Sequence, residues 1–251
     1  MVKDKKVLIT GASKGLGKEA AIAFEKEGAE LILVARSLDK LTAIIELFSF
    51  PDKHHAYSID LLDSSQIDSV MDDVSNKNVD IIIHCAGGSL GYRDNLLDAS
   101  EFKQVFMLNI IAAAQINRAL TRKMIDRKKG NIIHVGSLVS SEARASVAYN
   151  SSKAALTAYV RSLGKELIEQ GIIVSGILPG AFYGDENAMN RFEINNPKGY
   201  IEFINSLPEK RMPNANEFVP MLMLLANEES KIMSGSLINM DGGQGMAYFN
   251  C

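Results

Sequence analysis

The sequence has only two cysteines, Cys85 inside an apolar strand-like pattern and Cys251 at the last position. That scarcity excludes a disulfide framework or a zinc site of spaced cysteine pairs, and a reducing, cytoplasmic setting fits best. No apolar run approaches the ~18 residues of a membrane span, so no membrane partner is expected. Neither sign of charge prevails: 27 Lys and Arg against 30 Asp and Glu leave a net −3. With the cations spread along the whole length there is no basic stripe for a nucleic-acid backbone, and no nucleic-acid partner is expected. Linkers rich in Gly, Ser or Pro, low-complexity tracts and short-period repeats are also missing. Nothing marks a place to cut the chain, and one domain over residues 1–251 is expected.

What is present is an alternation of apolar strand-like runs with amphipathic helix-like ones. Strands are expected at Lys6 to Thr10, Glu30 to Ala35, His55 to Ile59, Asp80 to His84, Gly130 to Gly136, Ile172 to Leu178 and Ser236 to Met240. Seven strands with helices between them predict an α/β, Rossmann-type doubly wound parallel sheet with helices on both faces.

The first strand runs into Thr10-Gly11-Ala12-Ser13-Lys14-Gly15-Leu16-Gly17, and a helical pattern follows from Lys18 to Lys26. A strand, a glycine turn and a helix start make a phosphate cradle, because the glycines admit a pyrophosphate to the backbone and the helix presents free N–H groups. Gly11, Ser13, Lys14, Gly15, Leu16 and Gly17 are therefore candidate cofactor contacts. The spacing, G-x-x-x-G-x-G, differs from the commoner G-x-G-x-x-G. Where the second strand ends, a dinucleotide fold needs an acid for a ribose 2′-hydroxyl or a cation for a 2′-phosphate. Here Arg36 and Ser37 follow the strand and no acid stands at its tip. With Lys14 in the loop, this favours NADP(H) over NAD(H).

Asp60 and Leu61 follow the third strand; Asp60 suits either the adenine amino group or the N-cap of a helix starting near Ser64. Ala86 and Gly87, after the fourth strand, are small enough to let a cofactor lie on the backbone. A helical pattern from Ser100 to about Arg127 carries Asn109 in its middle, either as a packed amide or as a site residue. A further helix from about Ser146 to Gln170 holds Tyr149 and Lys153, four apart and so on one face. That pair alone means little. Its position matters, because Ser137 lies at the end of the preceding strand and Pro179-Gly180 at the end of the next, all at one crevice.

Together these residues resemble the short-chain dehydrogenases/reductases over nearly the whole chain. The glycine loop resembles Gly11 to Gly17, the adenine-side aspartate Asp60, the active-site set Asn109, Ser137, Tyr149 and Lys153, and the later turns Pro179-Gly180 and Asp241-Gly242-Gly243. Two positions depart from the pattern: His84-Cys85-Ala86-Gly87 stands for Asn-Asn-Ala-Gly, and Gly184 for a threonine. The resemblance implies hydride transfer between NADP(H) and a carbonyl or secondary alcohol. An alkoxide formed by hydride transfer needs an acid, and Tyr149 fits that role with Lys153 lowering its pKa and hydrogen-bonding the nicotinamide ribose. Ser137 would polarise the substrate oxygen, and Asn109, by resemblance, would hold a water beyond Lys153. A non-catalytic NADP-binding sensor is the alternative from another class.

Residues 181–213 lose the strand–helix alternation and read as a substrate lid or a solvated loop, with Phe182 at the cofactor edge. Their polarity, with Glu142 and Arg144 nearby, leans towards a polar substrate of sugar-like or ketoacyl type. His84 and His134 read as core or cofactor-edge histidines, His54 and His55 as solvated, and no metal site is expected. By resemblance, the two long helices would pair chains into a homodimer or homotetramer.

Overall fold

The computed structural model describes residues 2–92 and 94–247, so Cys251 lies outside the described residues. The strands are β1 Lys6–Thr10, β2 Glu30–Ala35, β3 His55–Ser58, β4 Ile81–His84, β5 Gly130–Val135, β6 Ile172–Pro179 and β7 Leu237–Met240. The α-helices are α1 Gly15–Lys26, α2 Leu38–Ile45, α3 Ser64–Ser75, α4 Ala99–Phe106, α5 Ala112–Arg127, α6 Val147–Leu167, α7 Ala188–Asn195, α8 Pro197–Ser206 and α9 Val219–Leu225. All seven strands join one parallel sheet in the order β3-β2-β1-β4-β5-β6-β7. The expected Rossmann-type sheet is present, and each strand lies within a residue of its predicted ends.

The strands read as apolar runs because both faces of the sheet are covered. Alternate residues serve opposite layers: Val7, Ile9, Leu31, Leu33 and Ile83 pack with Phe24 of α1, Leu41 of α2 and Leu222 of α9. Their neighbours Leu8, Ile32, Ile82 and Ile132 pack with Ile67 of α3, Ile116 of α5 and Val160 of α6. The order in which strands are added reverses between β1 and β4, which opens a crevice at the carboxyl ends of those parallel strands. The glycine loop and the strand ends at Cys85, Gly136 and Gly180 all reach that edge.

Four expectations change. The single helix expected from Ser100 to Arg127 is α4 and α5 joined by a π-helical turn, Met107–Ile111, with Asn109 at its centre. A π turn inserts one residue into the ladder and re-aims the side chain at the insertion, which gives a mid-helix asparagine a place to go. The N-cap of α3 is Asp63, whose carboxylate accepts from the N–H groups of Ser65 and Gln66, so Asp60 is not the cap. His54 is not solvated: its Nδ1 accepts from the Leu31 N–H at 3.0 Å, and its ring stands edge-on to Phe48. Residues 181–213 are not an open loop either, because α7 and α8 lie within them and share a small core of Phe192, Tyr200, Leu207 and Met212. Asn187 and Asn196 cap the two helices, accepting from the N–H groups of Asn190 and Gly199.

Candidate active site

The crevice is lined from three strand ends. Gly11 takes φ +68°, and a Cβ there would meet the Ala86 nitrogen at 2.8 Å, so the first turn and the end of β4 touch because a side chain is absent. Lys14 caps α1 without a side-chain hydrogen bond, and no acid lies in the first helical turn. The leading N–H groups of α1 are therefore left for an anion. A Cβ on Gly15 would meet nothing within 4 Å, so the loop faces open space there. These features fit the pyrophosphate of a dinucleotide. Ser13 is partly exposed on the same turn, whereas Leu16 turns its side chain into the core and leaves only its backbone to a ligand.

On the adenosine side Arg36 is exposed, with its carbonyl accepting from the Ser58 hydroxyl at 2.8 Å, and Ser37 is the N-cap residue of α2. Asp60 forms a local turn in which its Oδ1 accepts from the Leu62 N–H at 3.0 Å. Phe182 packs its ring on Phe218, with centroids 4.9 Å apart.

At the other end, Ser137, Tyr149, Lys153 and Asn109 come together as the spacing predicts. Ser137 leaves β5 and caps a 3-10 turn, Leu138–Ser140, while Tyr149 and Lys153 lie on the first turns of α6. A hydrogen bond from Ser137 pulls the Tyr149 pKa down, but desolvation outweighs it and holds the phenol at about 12. Lys153 is buried, and desolvation brings its ammonium down to about 8. It donates to the Val135 carbonyl at 2.8 Å, and its Nζ lies 5.8 Å from the centre of the Tyr149 ring.

Asn109 works as a staple. Its Nδ2 donates to the carbonyls of Gly88 and Val105, each at 2.8 Å, and its Oδ1 accepts from the Gly88 N–H at 3.0 Å. The loop after β4 is thereby pinned to the helix opposite. A Cβ on Gly87 would stand 2.9 Å from Asn109 Oδ1 and 3.2 Å from Lys153 Nζ, so Ala86-Gly87 runs directly over both. Beneath them is a cavity of about 10 Å³, about the room one water needs, lined by Asn109, His84, His134 and Thr10 among others. The two histidine rings stack at 4.6 Å; His84 Nε2 lies 2.9 Å from Asn117 Oδ1, and His134 Nδ1 has no protein partner. Burial pushes the pKa of His84 down to about 4 and that of His134 well below its ordinary value, so both are core histidines, as expected.

Sequence reasoning missed the C-terminal segment. The Gln244 side chain clamps Ala181, accepting from its N–H at 2.8 Å and donating to its carbonyl at 3.1 Å. Glu142 accepts from the N–H groups of Met246 and Ala247, and Arg144 donates to the Gln244 carbonyl at 2.6 Å. Glu142 and Arg144, which the sequence offers to a polar substrate, are paired with each other at 2.8 Å and hold this segment instead. The available signal was a polar residue directly after the Asp241-Gly242-Gly243 turn.

Among the described residues no group of His, Cys, Asp and Glu is placed to hold a metal, and no helix is long and apolar enough to cross a membrane. A family model described as short chain dehydrogenase matches residues 5–194. The chain is similar to the 3-oxoacyl-[acyl-carrier-protein] reductase of Buchnera aphidicola subsp. Schizaphis graminum, 27% identical over 98% of this chain and 99% of the relative. It is also similar to the 2,3-dihydro-2,3-dihydroxybenzoate dehydrogenase of Bacillus subtilis, 26% identical over 96% of each chain. The L-sorbose reductase of Gluconobacter frateurii, solved with NADPH and L-sorbose, superposes with a TM-score of 0.86 at 27% identity, over 99% of this chain and 98% of that one.

Proposed function

The chain belongs to the short-chain dehydrogenase family of oxidoreductases, whose fold binds a nicotinamide dinucleotide, and from that premise we propose that it is an NADP(H)-dependent carbonyl reductase or secondary-alcohol dehydrogenase with Tyr149 as its acid/base. The observation that carries this is the meeting of Ser137, Tyr149 and Lys153 at the open edge of the sheet, with Ser137 near enough to the phenol to act on its pKa and Lys153 Nζ 5.8 Å from its ring.

A bound nicotinamide supplies the hydride, or takes it in the reverse direction. Tyr149 gives its hydroxyl proton to the oxygen of the carbonyl being reduced, and a pKa held at about 12 keeps that proton in place until the oxygen becomes basic. Ser137 donates to the same oxygen and steadies the charge that develops there. Lys153, fixed by the Val135 carbonyl, puts an ammonium beside the phenolate that remains. Asn109 holds the loop over Lys153, and the water-sized cavity under it is where a proton carrier would sit. Gly11, Ser13, Gly15, Leu16 and Gly17 would hold the pyrophosphate, Lys14, Arg36 and Ser37 the adenosine ribose with its 2′-phosphate, Asp60 and Leu61 the adenine, and Ala86, Gly87, Pro179, Gly180 and Phe182 the nicotinamide half.

Residues 181–213 form the lid over a small polar ketone, sugar-like or of ketoacyl type; L-sorbose and 3-oxoacyl thioesters, named for the relatives, are the first to try. Two chains would pair through α5, with the π turn before it, and α6, where Ile111 of that turn and Val147 stay exposed. The test is NADPH oxidation against a panel of polar ketones and acetoacetyl thioesters, repeated with Tyr149→Phe. An active parent and a variant slowed by about 10²–10⁴-fold with NADPH binding retained are expected. A parent that binds NADPH tightly yet turns over nothing in the panel would favour a cofactor-sensing protein.

A further inference from the structure

The stretch Gly184-Asp185-Glu186 lies on the glycine loop. A Cβ on Gly184 would stand 3.1 Å from the Gly15 Cα, so the glycine at this position lets the lid backbone come down onto the cofactor cradle. Ion pairs then hold it there. Lys18 of α1 meets Asp185 at 3.2 Å. The Lys14 ammonium donates to the Glu186 carbonyl at 3.3 Å and lies 3.9 Å from the Glu186 carboxylate. Lys40 of α2 pairs with the same carboxylate, and Arg191 of α7 donates to the Glu186 carbonyl at 2.5 Å. Glu186 itself takes φ +56°, a left-handed conformation that a non-glycine residue adopts only when its surroundings hold it there.

The charges around this carboxylate do not balance. Lys14 and Lys40 reach it, Arg191 holds the carbonyl of the same residue, and Arg36 is close enough to act on Lys14, whose pKa is lowered by desolvation and by the like charges of Arg191, Lys40 and Arg36. One carboxylate, bearing a single negative charge, is a poor match for two lysines with two arginines nearby, whereas a phosphate monoester carries about −1.5 to −2 near neutrality and offers three acceptor oxygens. The cations also have the right address, since Lys14 opens α1, Arg36 follows β2 and Lys40 lies on the helix after it. In a doubly wound fold these places flank the adenosine ribose.

We infer that Glu186 is a tethered stand-in for the 2′-phosphate of NADP(H): its carboxylate occupies Lys14 and Lys40 until that phosphate takes them, and the exchange releases Gly184-Asp185-Glu186 from the glycine loop. Glu186 and Lys40 are then residues that set cofactor choice, and the lid senses which dinucleotide has arrived. NAD(H), bearing only a hydroxyl at that carbon, leaves the carboxylate in place.

The inference rests on the NADP(H) assignment above, and adenosine nucleotides lacking nicotinamide separate the two. Binding of 2′,5′-ADP and of ADP to the full chain is measured by calorimetry for the parent, Glu186→Gln and Lys40→Gln, with melting curves to confirm that each is folded. Removing the competing carboxylate is expected to tighten 2′,5′-ADP by about three- to tenfold while ADP changes less than about twofold. Lys40→Gln is expected to weaken 2′,5′-ADP by a similar factor and to leave ADP alone. In the parent, 2′,5′-ADP and not ADP should speed proteolytic cleavage within residues 184–191. A parent that prefers 2′,5′-ADP with a Glu186→Gln variant that binds it no more tightly overturns the exchange alone. A parent that binds both nucleotides equally removes the NADP(H) assignment, and the exchange with it.

Discussion

The corner that carries Ser137, Tyr149 and Lys153 is fixed by buried side chains on backbone partners, whereas the rim where residues 184–186 meet the glycine loop is fixed by exposed ion pairs. In the corner, Lys153 and Asn109 are both 3% exposed and each is tied to a strand-end or loop carbonyl. At the rim, the partners Lys18 and Asp185 have side chains 30% and 65% exposed, and Lys40 and Glu186 are similarly open. Buried hydrogen bonds are costly to leave unmade, while surface pairs are weak and screened by salt. The proposed catalytic corner is therefore held rigidly, and the proposed grip on cofactor and substrate is left adjustable.

A single methyl group tests the tight side most severely. In Gly87→Ala the added carbon would fall 2.9 Å from Asn109 Oδ1 and 3.2 Å from Lys153 Nζ, so one of the two must move. A shift of that kind in an active-site group is expected to lower kcat by about 100-fold or more. Melting curves and turnover measured together check it; kcat within about threefold of the parent would show the corner to be looser than its contacts imply.

On the adjustable side, Arg36→Asp should weaken NADPH by about 1.5–3 kcal/mol and NADH much less, the loss of one charge-assisted hydrogen bond. Titration of each cofactor by its own fluorescence gives the answer. Equal losses for the two would take Arg36 away from the 2′-phosphate.

Acid should find the tight side first. His84 is fully desolvated and its pKa falls from 6.5 to about 4 on folding, so the unfolded chain binds a proton that the folded chain refuses. The stability this contributes is complete above pH 6.5 and is lost as the pH falls through about 4; near pH 5 the loss amounts to about 2 kcal/mol. Denaturant titrations at neutral pH and near pH 5 should show it, and His84→Gln should shrink the difference by that amount, leaving the part that the buried His134 contributes. A slope unchanged in that variant would assign the acid sensitivity elsewhere.

The same contrast explains what the sequence disclosed. The strands, and the meeting of Ser137 with Tyr149 and Lys153, were legible because a buried parallel sheet writes itself as apolar runs and a helical turn as a spacing of four. Asn109 was legible as a polar residue out of place, but not the π turn that receives it, since no pattern of period 3.6 reports a single inserted residue. The helices α7 and α8 were hidden because they are short, capped by asparagines that read equally as loop, and packed mainly on each other. The partners of Glu142, Arg144 and Glu186 lie 100 residues or more away in several cases, beyond any local signal.

The smallest expected effect is at Asp185. Its pair with Lys18 spans 3.2 Å between side chains largely in water, so Asp185→Asn should change global stability by less than about 1 kcal/mol, within the usual range for such pairs. The small core of α7 and α8 and the Tyr183 strand bridge to Asn214 hold the lid's fold without that pair. What should change is local: hydrogen exchange at residues 184–187 should quicken in Asp185→Asn, and the parent should show the same quickening when salt is raised. If Asp185→Asn instead lowered the melting temperature as much as Gly87→Ala, the rim would be as firmly built as the corner, and the division between fixed chemistry and adjustable grip would not hold.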